Sequence, residues 1–186
     1  MTVRQLRRGQ LATFDALTGL YNRAAFVELL ESRLAAARAT GLGLMFIDLD
    51  HFKPINDNLG HVAGDAMLRT LGERLRQALP PDAFAGRYGG DEFVVLCPTA
   101  TGTREVVGLA ARLAGLVRET VWFDGRALRV TPTIGIALSP DHGRNADMLL
   151  RHADAAMYAG KAAGRNTVTV YEPGLEGPRG SLSAGW

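Results

Sequence analysis

The segment Arg87-Tyr88-Gly89-Gly90-Asp91-Glu92-Phe93, running on into Val94-Val95-Leu96-Cys97, constrains this chain more than any other stretch. Two successive glycines signal a tight turn, and the apolar residues behind them have the density of a buried strand. A strand from Ala83 to Tyr88 leads in, so the segment is predicted to be a β-hairpin with carboxylates at its tip. Glycine at both turn positions permits positive φ and leaves no side chain between the backbone and a ligand. Adjacent carboxylates at such a tip repel one another. They suit either a divalent cation with oxygen ligands or a solvated acidic turn.

The chain length of 186 residues fits one domain with a real core and flanking tails. No uninterrupted apolar stretch is long enough to cross a bilayer, and the start lacks the charged-then-apolar pattern of a signal peptide. Cys97 is the only cysteine, so no internal disulfide is possible; in a predicted strand it is expected to be a buried small hydrophobe. A cytoplasmic setting is expected, with any membrane tether lying in an upstream region. The net charge of +2 and pI near 9.0 do not imply nucleic acid, because the arginines are scattered apart from Arg4, Arg7 and Arg8. Of 21 cationic residues 19 are Arg, and only Lys53 and Lys161 are Lys. A lysine in so Arg-biased a chain points to a place for a compact point charge rather than a planar fork.

Residues 1–14 are expected to connect to an upstream module, residues 15–171 to form the domain, and the Gly-, Pro- and Ser-rich residues 172–186 to be a disordered tail. After a compact turn over Asp15 to Leu20, Asn22 can cap a helix to about Ala39 with Phe26, Leu29, Leu30 and Leu34 on one face. Leu42 to Leu49 is a predicted buried strand, followed by a loop or short helix and a long helix from His61 to Leu79. The hairpin comes next, then a helix over Thr103 to Val117 and a small hairpin turning at Asp124-Gly125. A strand over Leu128 to Leu138, a helix over Ala146 to Ala163 and a last strand over Thr167 to Tyr171 complete the order. This β-α-β-β-α-β sequence is the split βαβ pattern of a ferredoxin-like core. It predicts an α+β fold with a central, mostly antiparallel sheet and helices packed on it.

Strand alternation points Asp48 and Asp50 of Asp48-Leu49-Asp50 to the same side. A strand-end acid beside a hairpin-tip acid is the arrangement that two-metal phosphoryl transfer needs, and equally one that backbone amides can satisfy. Lys53 follows closely enough to meet a phosphate or to stand in solvent, and the amides of His51, Phe52 and Lys53 could line an anion. Asn56 and Asp65 offer an amide and an acid near a helix start, where an acid also suits the helix dipole. Lys161 and Arg165 flank Gly164 at a helix end, where cations also serve as caps.

Seven motifs occur in order: Asp15 to Arg23 (Asp-x-Leu-Thr-Gly-Leu-x-Asn-Arg), Asp48 to Lys53, Asn56-Asp57, Gly60-His61-x-x-Gly64-Asp65, Arg87 to Phe93, Thr133-Ile-Gly-Ile136, and Ala155-x-Met-Tyr158-x-x-Lys161-x-x-Gly-Arg-Asn166. Together they closely resemble the GGDEF family of diguanylate cyclases over residues 15–171. The resemblance implies a cyclase-like fold, related to polymerase palms, that condenses two GTP molecules into cyclic di-GMP and pyrophosphate. It implies Mg²⁺ or Mn²⁺, two per site, held by Asp48, the Leu49 carbonyl and Asp91. Glu92 would assist at the metals or in activating the 3′-hydroxyl. Asp91, Glu92, Asp48 and Lys161 would form the catalytic set. Lys53, Lys161 and Arg165, with the amides of residues 51–53, would hold phosphates. Asn56 and Asp65 would read guanine, while Gly89 and Gly90 would let the nucleotide lie against the hairpin.

The resemblance further implies a C2 homodimer in which each copy presents one GTP to the other, governed by an upstream sensory or receiver module. A non-catalytic module binding GTP or a cyclic dinucleotide is the alternative. Many family members carry Arg-x-x-Asp before the Gly-Gly turn as a product site. Here residues 80–83 are Pro-Pro-Asp-Ala, so weak or absent feedback through that site is expected.

Overall fold

In the computed structural model, which describes residues 13–36, 41–99 and 102–177, five strands form one sheet in the order β2-β3-β1-β6-β7. The elements are α1 (Arg23–Ala36), β1 (Gly41–Asp50), α2 (Phe52–Leu59), α3 (His61–Ala78), β2 (Phe84–Arg87) and β3 (Glu92–Thr99). They continue with α4 (Thr103–Arg118), β4 (Val121–Phe123), β5 (Arg126–Leu128), β6 (Thr131–Ser139), α5 (Ala146–Ala162) and β7 (Val168–Val170). Every pairing in the sheet is antiparallel except β6 with β7. The predicted α+β class and mostly antiparallel sheet are therefore what the chain adopts.

β1 lies at the centre, and that explains its composition. With a strand on either edge and helices over both faces, nine of its ten residues are buried, so alternation of polar and apolar residues disappears. Met45, Ile47 and Leu49 face one core with α2, α3 and α4. Leu42, Leu44 and Phe46 face a second core with α1 and α5, joined by Val94 and Leu96 of β3 and Ala137 of β6. Asp48 and Asp50 continue the even-numbered series and so fall on the α5 side.

α5 sits unusually close to the sheet. A Cβ on Gly135 of β6 would run into the Ala153 carbonyl and the Met157 amide, so the bare backbone of this glycine lets the helix lie flush. Helix starts follow the expected chemistry: the Asn22 side chain accepts from the Ala25 amide at 3.0 Å, and Asn145 from the Met148 amide at 2.8 Å. Cys97 is buried against Gly43 at the sheet, and burial pushes its thiol up to about 12.

Two local readings are corrected. The expected strand from Leu128 to Leu138 is broken: Leu128 closes the small β4–β5 hairpin, while Thr131 begins β6 in the large sheet. The hairpin turn, with Asp124 and Gly125 at positive φ, sets that pairing. Second, neither Gly89 nor Gly90 has positive φ. A Cβ on Gly89 would meet only the movable end of the Glu92 side chain, and Gly90 stands in open space. The expectations for residues 1–12, for the end of the first helix beyond Ala36 and for the tail after residue 177 lie outside the described residues.

Candidate functional site

Strand register gathers the acids. Asp48 of β1 lies opposite Glu92 of β3 on one side and Thr133 of β6 on the other. The Leu49 amide donates to the Asp91 carbonyl at 3.3 Å, fixing the hairpin tip against the end of β1. Even-numbered residues of β3 share the α5 side with those of β1, so Asp48 and Glu92 meet beneath that helix. α5 supplies the countercharge: Lys161 Nζ lies 2.7 Å from Asp48 Oδ1.

Burial and like charge make this a strained group of carboxyls. Asp48 is pushed up by burial, against the pull of Lys161 and with the help of the Asp91 and Asp50 charges. Glu92 is pushed up by burial and then by the charges of Asp48, Asp154 and Asp91, with Lys161 opposing. Among the described residues no three His, Cys, Asp or Glu side chains form a closed metal cluster. Mg²⁺ does not require one, since it takes one or two carboxylates and completes its shell with waters and phosphate oxygens. Hard oxygen donors carrying surplus negative charge fit Mg²⁺ or Mn²⁺.

The tip itself is held from the N-terminal side. Arg87 donates from Nε and a terminal nitrogen to the Gly90 carbonyl at 3.2 and 2.8 Å. Its other terminal nitrogen reaches both oxygens of Asp15 at 3.3 Å. Asp15 in turn accepts from the Thr18 amide and hydroxyl. Burial pushes Asp15 up, but the Thr18 bonds and Arg87 outweigh it and hold the carboxyl below its usual value. Tyr21 extends this contact by exchanging backbone bonds with β2 at Ala85 and Arg87.

The remaining sequence candidates sit around this centre. His51 takes a left-handed conformation, φ 60°, and turns the chain from β1 into α2. Phe52 is buried in the core, which leaves its amide as the part able to serve a ligand. Lys53 is exposed and paired with Asp57 at 2.6 Å, a surface pair of little energetic weight. The α2–α3 corner brings Asn56 against Gly64, where a Cβ would strike Asn56 Oδ1, and Asp65 follows directly. Both side chains are half-buried. Arg165 is exposed just beyond α5, in a left-handed turn with φ 64°.

Several residues of this region were not among the candidates. Asp154 lies seven positions before Lys161 on α5, on the same buried face, so an acid amid Ala153, Ala155 and Ala156 was the available signal. Arg87 and Asp15 lay in the quoted motifs without a role, and nothing in the spacing links them. A cavity of about 470 Å³ lined by Pro80, Asp82, Cys97, Glu105, Leu109 and Arg112 lies at the other end of β3. The gathered carboxylates place the candidate chemistry at the opposite, Glu92 end of that strand.

A family model described as "Diguanylate cyclase, GGDEF domain" matches residues 12–167. The chain is 42% identical over 164 residues to "Cyclic di-GMP phosphodiesterase NbdA" of Pseudomonas aeruginosa, covering 87% of this chain and 21% of that protein. It is 41% identical over 166 residues to "Probable diguanylate cyclase DgcE" of Escherichia coli, covering 87% and 15%. The solved GGDEF domain of DgcB from Caulobacter crescentus, in complex with c-di-GMP, superposes with a TM-score of 0.80 at 32% identity, covering 87% of this chain and 96% of that one. The chain spans about a fifth of the length of the first curated relatives it matches. No helix among the described residues is long and apolar enough to cross a membrane.

Proposed function

This chain belongs to the GGDEF family, and on that premise we propose that it is a diguanylate cyclase domain converting two GTP molecules into cyclic di-GMP and two pyrophosphates. The observation that carries the reading is the meeting of Asp48, Glu92 and Lys161 beneath α5, with Asp91 held at the end of β1. A divalent ion, Mg²⁺ or Mn²⁺, would be held by Asp48, Asp91 and the Leu49 carbonyl, and would supply neutralisation of the triphosphate charge.

The chain's own residues do the rest. Lys161 leaves Asp48 to meet phosphate oxygens, and Lys53 and Arg165 bind the same group from the α2 and α5 sides, with amides of residues 51–53. Asn56 and Asp65 select guanine, because a carboxylate accepts from the N1–H and the exocyclic amine that adenine lacks. Gly90 leaves the nucleotide room against the hairpin. A 3′-oxygen of one GTP bonds to the α-phosphorus of the other and the bond to pyrophosphate breaks. Glu92, made more basic by its buried acidic surroundings, helps to take up the hydroxyl proton. Two such displacements close the ring. Each copy offers one nucleotide, so the reacting pair is assembled in a C2 homodimer.

Incubation with GTP and Mg²⁺ beside Asp91→Ala, with the nucleotides separated by chromatography, tests the assignment. Cyclic di-GMP from the parent and none from the variant is the expected result. GTP bound without product would favour a non-catalytic binding module, a reading that relatives named as phosphodiesterases keep in play.

A further inference from the structure

Asp50 is a buried carboxylate that the proposed chemistry does not use, and its partners lie on two different segments, β6 and the turn after α5. It is 2% exposed. Its Oδ1 accepts from the Thr133 hydroxyl at 2.7 Å, and its Oδ2 from the Thr131 hydroxyl at 2.8 Å. Oδ2 also accepts from the backbone amide of Asn166 at 3.0 Å, an amide that reaches Thr133 Oγ1 at 3.1 Å as well. The last of these partners lies beyond α5, in a turn where Arg165 and Asn166 both have left-handed backbones, φ 64° and 50°.

A left-handed backbone costs a residue such as Arg165 roughly 1–2 kcal/mol and an Asn less, so the turn needs support from outside itself. Glycine would adopt this turn freely, so the turn holds a side chain in place that glycine cannot supply. Asn166 uses its side chain to accept from Arg118 at 2.7 Å, which pins the turn from the α4 side. The Arg165 amide bonds back to the Gly160 carbonyl, closing the helix end. What remains free to leave the turn is the exposed guanidinium of Arg165. β1 thus grips the end of α5 twice, two residues apart: Asp48 through Lys161, and Asp50 through the Asn166 amide.

We propose that Asp50 is a positioning residue for phosphate binding, fixing the left-handed turn that presents Arg165 to the nucleotide. The inference rests on the nucleotide reading above and adds a residue to it. Asp50 touches no substrate; it acts through Arg165.

The test measures binding of a GTP analogue with an uncleavable α–β bridge to the parent, Asp50→Ala, Asp50→Asn, Arg165→Ala and the double variant Asp50→Ala/Arg165→Ala. Asp50→Ala and Arg165→Ala should each weaken binding by about tenfold, one step of roughly 1.4 kcal/mol. The double variant should be no weaker than Arg165→Ala alone, the sign of coupling. Asp50→Asn, which keeps an acceptor for Asn166, should recover part of the loss. Thr131→Val, which removes one supporting donor without uncovering a charge, serves if Asp50→Ala does not fold, and should show the same non-additivity. Amide exchange at Asn166 provides a second readout: it should quicken in the Asp50 variants and stay slow in Arg165→Ala. Losses that multiply in the double variant, or an Asn166 amide indifferent to Asp50, overturn the proposal while the nucleotide reading stands. A parent that binds no analogue overturns both.

Discussion

Lys161 Nζ lies 2.7 Å from Asp48 Oδ1, so the ammonium of the last turn of α5 stands where the positive charge of a cation would be felt by the same carboxylate. An ammonium and a metal ion compete for one electrostatic role. Removing the lysine should therefore strengthen metal binding in the absence of nucleotide, even as it weakens catalysis. Mn²⁺ should bind Lys161→Met about tenfold more tightly than the parent, a fraction of the ~4 kcal/mol that two unit charges 4 Å apart exchange at an effective dielectric of ~20. Electron paramagnetic resonance of free Mn²⁺ measures this directly. Equal affinities would show that the pair does not oppose the metal.

Glu92 gives a pH-dependent prediction. Burial, then Asp48, Asp154 and Asp91, raise its folded value above the ordinary 4.5, so the folded protein holds this proton more tightly than the unfolded chain does. Ionised Glu92 then costs stability. That cost is absent below the unfolded value and complete once pH has risen through the folded one. Glu92→Gln should stabilise the metal-free protein at pH 7.5 by about 1 kcal/mol. The gain should shrink to nothing as pH falls towards 4.5. Thermal melts in chelator from pH 4 to 8 would show it, and turnover should be lost at every pH.

Asp15 has the opposite sign. Its folded value lies below 3.8, so its contribution is present above the unfolded value and is lost as pH falls through the folded one. Asp15→Asn should cost about 1.5 kcal/mol at pH 7, the lower end for a hydrogen bond to a charged group, and much less near pH 3. Arg87→Lys should cost a similar amount, because an ammonium cannot span Asp15 and the Gly90 carbonyl with a planar fork. Urea titration at the two pH values separates these effects.

Turnover should depend on the protein finding a second copy. Product formed per protein molecule should rise with protein concentration until the dimer saturates, a change that a dilution series in a GTP assay records. Constant specific activity down to nanomolar protein would argue for a monomeric catalyst.

Asp82 is exposed beside the cavity at the Cys97 end of β3, and it stands one place out of register with Arg-x-x-Asp, whose two charged positions are here Pro80 and Ala83. Asp82→Ala should leave cyclic di-GMP inhibition of turnover unchanged within about twofold, a surface change of less than ~0.5 kcal/mol. Loss of a tight product-binding phase in that variant, seen by calorimetry, would reveal a product site that uses Asp82 despite the shifted register.

Much of this was legible in the residues. The apolar run after Gly90, the Asn22 cap and the shared face of Phe26 and Leu30 are local signals, and each element formed where its signal lies. Alternation along β1 also placed Asp48 and Asp50 on one side. Pairings between distant segments left no such trace. The bond from Arg87 to Asp15 joins residues 72 positions apart, and that from Asp50 to Asn166 joins residues 116 apart. The glycines of the hairpin were misjudged for a related reason. Turn chemistry suggests positive φ, whereas neither Gly89 nor Gly90 adopts it, and the glycine that close approach demands is Gly135, against the α5 backbone. Close approach is a property of the folded neighbour and is invisible in the dipeptide.

The flush contact at Gly135 has a consequence for how this domain can fail. Most sites are lost when a functional atom is deleted. Here one added methyl group on β6 would lift α5 off the sheet and carry Asp154 and Lys161 with it, leaving each charged group intact but out of reach of its partner. Inactivation by gain of mass would look, in any tally of functional residues, like an unblemished site.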